Sequence, residues 1–208
     1  MSKTLKPNGT EKDAALEQHS SVHSEAQRQE LHRLINEGAR LLARRQAKEA
    51  AQVLEKAYYL DPDNVEVKIN LGGAYILLGR FRDAVPILEE AARQAPDNPM
   101  VWTNLAAAYL GHLEHASKEQ QDAAIAAFKR ALKADPKTPH VDYNLGLIYL
   151  QRGDLPTALA HFQRACEVDP GDKDAAHYIK TIQARLASQP SDEETTTGAE
   201  GAEGGNGA

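Results

Sequence analysis

The chain has 208 residues and a mass of 22.7 kDa; 41% of residues are apolar, 26% are charged, and the formal net charge is -6. That length is ample for a buried core, while the mild acidity argues against a general nucleic-acid or anionic-membrane binder, which needs a basic face. Aromatics at 5% disfavour base-stacking platforms, and a single cysteine, Cys166, excludes an internal disulfide framework and any multi-cysteine metal site. No stretch approaches about 18 uninterrupted apolar residues, and the N-terminal region lacks the apolar run of a secretory signal. A cytoplasmic protein without membrane, nucleic-acid or cofactor binding is therefore expected.

Residues 1–23 are polar, with a Pro7-Asn8-Gly9 turn signal and no sustained apolar period, and are expected to be a disordered tail with a fraying helical stretch near Asp13 to His19. From Ser188 the chain is Ser, Gln, Pro, Asp, Glu, Thr, Gly, Asn and Ala to Ala208, with no aliphatic larger than alanine. Such a segment, 188–208, buries too little apolar surface to offset its ordering entropy, and a solubilising acidic tail is expected.

Between the tails the sequence repeats itself. Pro62, Pro96, Pro136 and Pro170 are separated by 34, 40 and 34 residues. Five residues before each stands an alanine: Ala57, Ala91, Ala131 and Ala165. Eight before stand Leu54, Leu88, Phe128 and Phe162, and twelve before stand Ala50, Ala84, Ala124 and Ala158. Gly38, Gly72 and Gly146 lie 24 before theirs, and Ala106 joins them once six extra residues in the third copy are allowed for. Small residues let two helices approach while Leu or Phe fills the space between their turns. Each proline ends a second helix, because its ring has no N–H to continue the ladder. Asn98-Pro99 and Thr138-Pro139 read as an N-cap followed by proline at the first helical position. Pro86 and Pro156 are placed at or near a first turn, where a missing N–H costs little.

The blocks Asn70-Leu71-Gly72-Gly73-Ala74-Tyr75, Asn104-Leu105-Ala106-Ala107-Ala108-Tyr109 and Asn144-Leu145-Gly146-Leu147-Ile148-Tyr149, with the downstream Ala, Leu or Phe, Ala and Pro, resemble the tetratricopeptide repeat. Trp102 also falls where that family's signature places its tryptophan. The resemblance covers about residues 28–187 and implies an all-α fold, an α-solenoid of antiparallel helical hairpins. In chain order the implied helices lie near 25–44 and 47–60, 64–78 and 81–94, 99–112 and 119–133, and 139–151 and 155–168. These form repeats at about 31–64, 65–98, 99–138 with its six-residue insertion, and 139–172. A ninth helix at 172–187, bearing Ala175, Ala176, Ile179, Ile182 and Leu186, would cap the last repeat within a solenoid spanning 24–187.

Catalytic signatures are missing: there is no Gly-rich phosphate loop, no Gly-x-Ser-x-Gly elbow and no His-Glu-x-x-His pair. Cys166 reads as a small buried hydrophobe. His112 and His115 flank Glu114 in the third-copy insertion, about His112 to Lys118, but two imidazoles without a third ligand make a weak metal pattern. His19, His23 and His32 read as solvated. The insertion either lengthens the first helix of its repeat or lengthens the turn after it.

Asn36, Asn70, Asn104 and Asn144 occupy equivalent places on successive first helices. A carboxamide both donates and accepts, so a ladder of them could hold the backbone of an extended peptide, or could instead hydrogen-bond locally between adjacent repeats. Ile69, Ile76, Met100, Leu110, Tyr143 and Leu147 share that face and would supply apolar contacts. Chaperone-tail receptors of the family hold a terminal carboxylate with Lys, Arg and Asn. Here Ile35, Ala39, Met100 and Asn104 stand at those places, so only Asn70 matches and that ligand is disfavoured. The expected function is a non-enzymatic scaffold binding a protein or peptide in its concave groove, as a monomer or weak homo-oligomer. The alternative is an assembly subunit acting by self-association.

Overall fold

The computed structural model describes residues 9–188, with side chains described from Ser24 onward. Nine α-helices are found among them: α1 (Gly9–Ala43), α2 (Ala47–Leu60), α3 (Val65–Leu77), α4 (Phe81–Gln94), α5 (Pro99–Leu110), α6 (Lys118–Ala134), α7 (Val141–Gln151), α8 (Leu155–Val168) and α9 (Lys173–Ala187). No strand occurs among the described residues. The expected 188–208 tail lies almost wholly outside them. Two compact units are resolved, one ending at Val141 and the other beginning at Asp142.

In the first unit, α1 and α2, α3 and α4, and α5 and α6 pack as hairpins, and α3 also lies against α5 and α1. The repeat register is explained by steric interlock. A Cβ placed on Gly38 would stand 2.5 Å from Leu54 Cγ, and one on Gly72 would stand 2.6 Å from Leu88 Cγ. Leu54 and Leu88 are fully buried, so the glycine surface is the socket for the leucine. In the third hairpin Ala106 and Phe128 are both buried in the equivalent places. Leu71, Ala74, Val101 and Leu105 then join consecutive hairpins into one core.

Helix ends follow local chemistry. Asn64 Oδ1 accepts from the Val67 N–H at 3.1 Å, and Asn98 Oδ1 accepts from Met100 N–H at 2.9 Å with Pro99 opening α5. Thr138-Pro139 does not act in the same way. The Thr138 hydroxyl donates to the Asp135 carbonyl at 2.6 Å, and His140 adopts a positive φ of 62°, so α7 starts at Val141. Pro86 also departs from expectation: it lies in the second turn of α4, whereas Pro156 is in the first turn of α8. The Arg82 carbonyl thereby loses its i+4 donor, on an exposed stretch where water can replace it.

Helix α1 begins at Gly9 and so takes in the stretch near Asp13 to His19 where a fraying helix is expected within the N-terminal tail. Glu11 to Gln29 holds three each of Ala, Glu and Gln and no Gly or Pro, so nothing halts the helix before the Gly9 and Pro7 breakers. The third-repeat insertion lengthens the turn, not the helix. Gly111 ends α5 at φ 59°, a 3-10 turn covers Leu113–His115, and Ser117 opens α6 with a reciprocal capping box to Gln120.

In the second unit Gly146 receives Phe162, whose ring would meet a Cβ there at 2.9 Å. Phe162 stacks on Tyr178 of α9, with centroids 4.7 Å apart, and Tyr143 meets both rings edge-on. Ala175 and Ile182 of α9 are fully buried against this group, so α9 covers the apolar face of its unit.

Candidate functional site: the shared face of the first helices

In the first unit α1, α3 and α5 lie side by side and present one face each. Asn36 is exposed and Asn70 half-buried, and neither carboxamide makes a hydrogen bond among the described residues. Asn104 is committed: its Nδ2 donates to the Ile69 carbonyl at 3.2 Å, tying α5 to α3. The amides expected to form one ladder therefore differ in availability. Asn144, in the second unit, also engages a partner.

Around Asn70 the face is apolar. Ile69 and Ile76 are half-buried against the core, while Leu77 and Met100 expose 56% and 50% of their surface. Leu110 is 8% exposed and contributes to the interior instead of the face. Tyr143 and Leu147 pack in part on the core of the second unit, where burial pushes the Tyr143 hydroxyl pKa up, with Tyr178 adding to the effect.

Gly73 lies within this face, one turn from both Asn70 and Leu77. A Cβ there would meet only Asn104 Nδ2, at 3.7 Å, an ordinary contact. Its neighbour Gly72 is required by Leu88, but nothing in the packing requires Gly73. A mid-helix glycine costs about 1 kcal/mol relative to alanine. The position is one where backbone lies open to an approaching chain.

Several features escaped the sequence reading. Tyr75 Oη donates to Glu55 Oε1 at 2.8 Å, and Tyr109 Oη donates to Glu89 Oε1 at 2.6 Å, latching the second helix of one repeat to the first helix of the next. Their common 34-residue offset was the available signal. Asp142 is buried at 4% and held by His161 Nδ1 at 2.8 Å and Arg164 Nε at 3.5 Å, with His161 stacked on Tyr149. Partners nineteen and more residues away neutralise that carboxylate, so a linear pattern did not announce it. Lys68 is also buried, and its Nζ donates to Gln94 Oε1 at 2.8 Å.

Outside the shared face, a cleft of about 650 Å³ is lined by Glu30, Leu34, Gln52, Glu55, Lys56, Tyr59 and Leu60, with Tyr59 86% exposed. His112 and His115 border a smaller cleft with Phe81, whose ring His112 meets edge-on at 5.2 Å. No group of three or more His, Cys, Asp or Glu is positioned to hold a metal among the described residues. Burial raises the Cys166 thiol pKa, and Asp172 and Asp169 raise it further, so thiolate is disfavoured there. No described helix is long and apolar enough to cross a membrane.

Comparison with known proteins agrees with this architecture. Two tetratricopeptide-repeat family profiles match, over residues 41–110 and 113–173. Anaphase-promoting complex subunit 3 of Schizosaccharomyces pombe is 34% identical over 62 residues, covering 30% of this chain and 9% of its own length. Superkiller complex protein 3 of Mus musculus is 36% identical over 74 residues, covering 36% of this chain and 5% of its own. The chain thus spans less than a tenth of these relatives. Among solved structures, MamA from Desulfovibrio magneticus RS-1 has a TM-score of 0.58 at 24% identity, covering 69% of this chain and 77% of that one. YrrB, described as a TPR protein with an unusual peptide-binding site, has a TM-score of 0.55 at 23% identity, covering 74% and 76%. These likenesses show a shared helical solenoid. With its interlocked Gly–Leu and Gly–Phe hairpins and the two matching profiles, the chain belongs to the tetratricopeptide-repeat family.

Proposed function

We propose that this chain is a non-enzymatic scaffold that holds an extended segment of a partner protein along the shared face of its first helices, centred on Asn70 and Gly73. The observation that carries the reading is the conjunction at Gly73: a glycine the packing does not require, beside an uncommitted carboxamide. Leu77 and Met100 stand exposed on the same face. The Asn70 amide would donate to a peptide carbonyl and accept from a peptide N–H, while Gly73 lets the bound backbone come close. Leu77, Met100 and Ile76 would supply apolar contact. Asn104, already bonded to Ile69, would contribute through its carbonyl oxygen. The peptide-binding description of YrrB supports the reading by analogy of fold.

The test is selection from a random-peptide display library on the full chain, followed by calorimetry of an enriched peptide. Gly73→Leu and Asn70→Ala should each weaken that peptide by about tenfold or more, equivalent to about 1.4 kcal/mol, with an unchanged helical circular dichroism spectrum. Binding that survives Gly73→Leu places the ligand elsewhere and ends this proposal. A second reading, assembly through the α1–α2 surface, is favoured by the exposed Tyr59 and Leu60 around their cleft. Light scattering across a concentration series decides it: mass that rises with concentration and falls with Tyr59→Ser supports assembly, and a constant monomer mass removes it.

A further inference from the structure

The second helix of the third repeat and the turn after it carry a charge pattern that their counterparts do not. At the four equivalent positions the first repeat has Glu55, Lys56, Tyr59 and Asp63, and the second has Glu89, Glu90, Arg93 and Asp97. Their formal charges are -1 and -2. The third repeat has Lys129, Arg130, Lys133 and Lys137, a charge of +4 in a protein whose net charge is -6. All four side chains are exposed. The reversal changes hydrogen-bonding capacity as well as sign. Glu55 and Glu89 accept from tyrosine hydroxyls in the first two repeats, and a lysine at position 129 cannot accept in that way.

The cations are also unpaired. Three arginines elsewhere in the first unit are matched to carboxylates, Arg33 to Glu30 at 2.8 Å, Arg80 to Asp83 at 2.7 Å and Arg93 to Glu90, while Arg40, Arg44, Arg45 and Arg82 are scattered and unpaired among the described residues. None of Lys129, Arg130, Lys133 and Lys137 has an ion-pair partner among the described residues. The closest carboxylate in sequence, Asp135, accepts the backbone N–H of Lys137 at 2.9 Å through Oδ1. Arg130 instead lies over the Trp102 ring, 5.7 Å from its centroid, and Trp102 is itself fixed by donation from Nε1 to the Pro96 carbonyl at 2.7 Å. An aromatic plate and four unsatisfied cations thus share one surface.

We propose that this surface is a second binding site, independent of the shared first-helix face, which takes a short Asp/Glu-rich segment of a partner protein. Lys129 and Lys133 are one helical turn apart, about 6 Å at 1.5 Å per residue, and Lys137 stands just beyond the end of α6 at Ala134. Alternate carboxylates of an extended segment, about 6–7 Å apart on one side, match the Lys129 to Lys133 spacing. A nucleic-acid strand fits poorly, because the equivalent positions on the neighbouring second helices carry Glu55, Glu89 and Glu90, which repel a polyanion that extends across the repeats. Lys129, Arg130 and Lys133 lie within about one turn of one helix, so like charges without carboxylates repel there, and a polyanion relieves that repulsion.

The chain has one tryptophan, so the Trp102 indole N–H is a reporter placed at the site. Full-length protein in about 10 mM salt, where the Debye length is about 30 Å, is titrated with a Glu-rich dodecapeptide while the indole cross-peak is followed by NMR. A saturable shift is expected, largely abolished near 1 M salt, where that length is about 3 Å. Lys133→Gln/Lys137→Gln should weaken binding by at least about fivefold, roughly 1 kcal/mol, without altering the helical spectrum, since both side chains are exposed. The peptide with Gln for Glu should leave the peak in place. An equal shift from the Gln peptide, equal affinity in the double variant, or tighter binding of a single-stranded oligonucleotide of the same length would each overturn the assignment.

Discussion

Replacing Gly72 and Gly73 with alanine, one at a time, should move stability in opposite directions although the two are adjacent in α3. Both substitutions gain about 1 kcal/mol of helix propensity. At Gly73 the new methyl meets only Asn104 Nδ2 at 3.7 Å, so the gain survives and the variant should be more stable by about 0.5–1 kcal/mol. At Gly72 it would lie 2.6 Å from both Leu88 Cγ and Cδ2 and 2.9 Å from Cδ1. Leu88 is fully buried, so it has no open space to swing into. Relief requires an off-rotamer leucine or separation of α3 from α4, and overpacking of this kind costs about 1–3 kcal/mol. Net destabilisation of about 1 kcal/mol follows, and a spread of about 2 kcal/mol between the two variants. Thermal and urea unfolding of the full chain, followed by circular dichroism at the helix band, measures it. At about 2–4 °C per kcal/mol for a chain of this size, the two midpoints should differ by several degrees. A Gly72→Ala protein as stable as the unmodified chain would refute the interlock. Gly72→Ala combined with Leu88→Ala provides the check on cause: removing the leucine should make the added methyl harmless, a coupling of 1 kcal/mol or more on the scale typical of contacting residues.

Two further outcomes follow from buried polar groups. Lys68 is 1% exposed, its Nζ donates to Gln94 Oε1 at 2.8 Å, and Glu90 lies 3.9 Å away. Gln94 is exposed and Glu90 partly so, hence both can return to water. Lys68→Met should therefore leave stability unchanged or raise it by about 1 kcal/mol, whereas Gln94→Leu, which removes the ammonium's hydrogen-bond acceptor and leaves it only Glu90 at 3.9 Å, should lower it by about 1–3 kcal/mol; urea unfolding ranks the pair. The Tyr75 and Tyr109 hydroxyls are pushed up to about 12, first by burial and then by donation to Glu55 and Glu89. A phenol in the unfolded chain titrates near 10. The latches thus contribute fully below about pH 10, and their contribution disappears as the pH rises through about 12. Helix content followed from pH 9 to 12.5 should fall in that window, and Tyr75→Phe/Tyr109→Phe should remove this component of the slope.

Legibility tracked the distance over which a feature is decided. Gly38 with Leu54, Gly72 with Leu88, and Gly146 with Phe162 sit at one constant offset inside a hairpin, so the chain displays each contact as a spacing. The Tyr–Glu latches also recur at a fixed offset, yet they cross from one repeat to the next and are recognisable only once the hairpins are stacked. His140 and the late start of α7 lay beyond local reading, because Thr138 and Pro139 resemble the start of α5 while the Thr138 hydroxyl bonds backward to Asp135. Charge reversal on α6 was present in the composition of the third repeat. Its meaning depended on knowing that the four cations are exposed and unpaired.

By itself the sequence determined the hairpin count, the interlock and nearly all helix boundaries, since each depends on partners within one repeat whose separation is covalently set. Only the tertiary structure decided which of several identical asparagines remains available. Asn70 and Asn104 share a residue type and a register. The second is committed to the Ile69 carbonyl, the first has no such partner, and Leu110 has turned from the face into the interior. The physical reason is that a side chain's exposure and hydrogen bonding are set by the neighbouring repeat, whose approach the periodicity of a single helix does not encode.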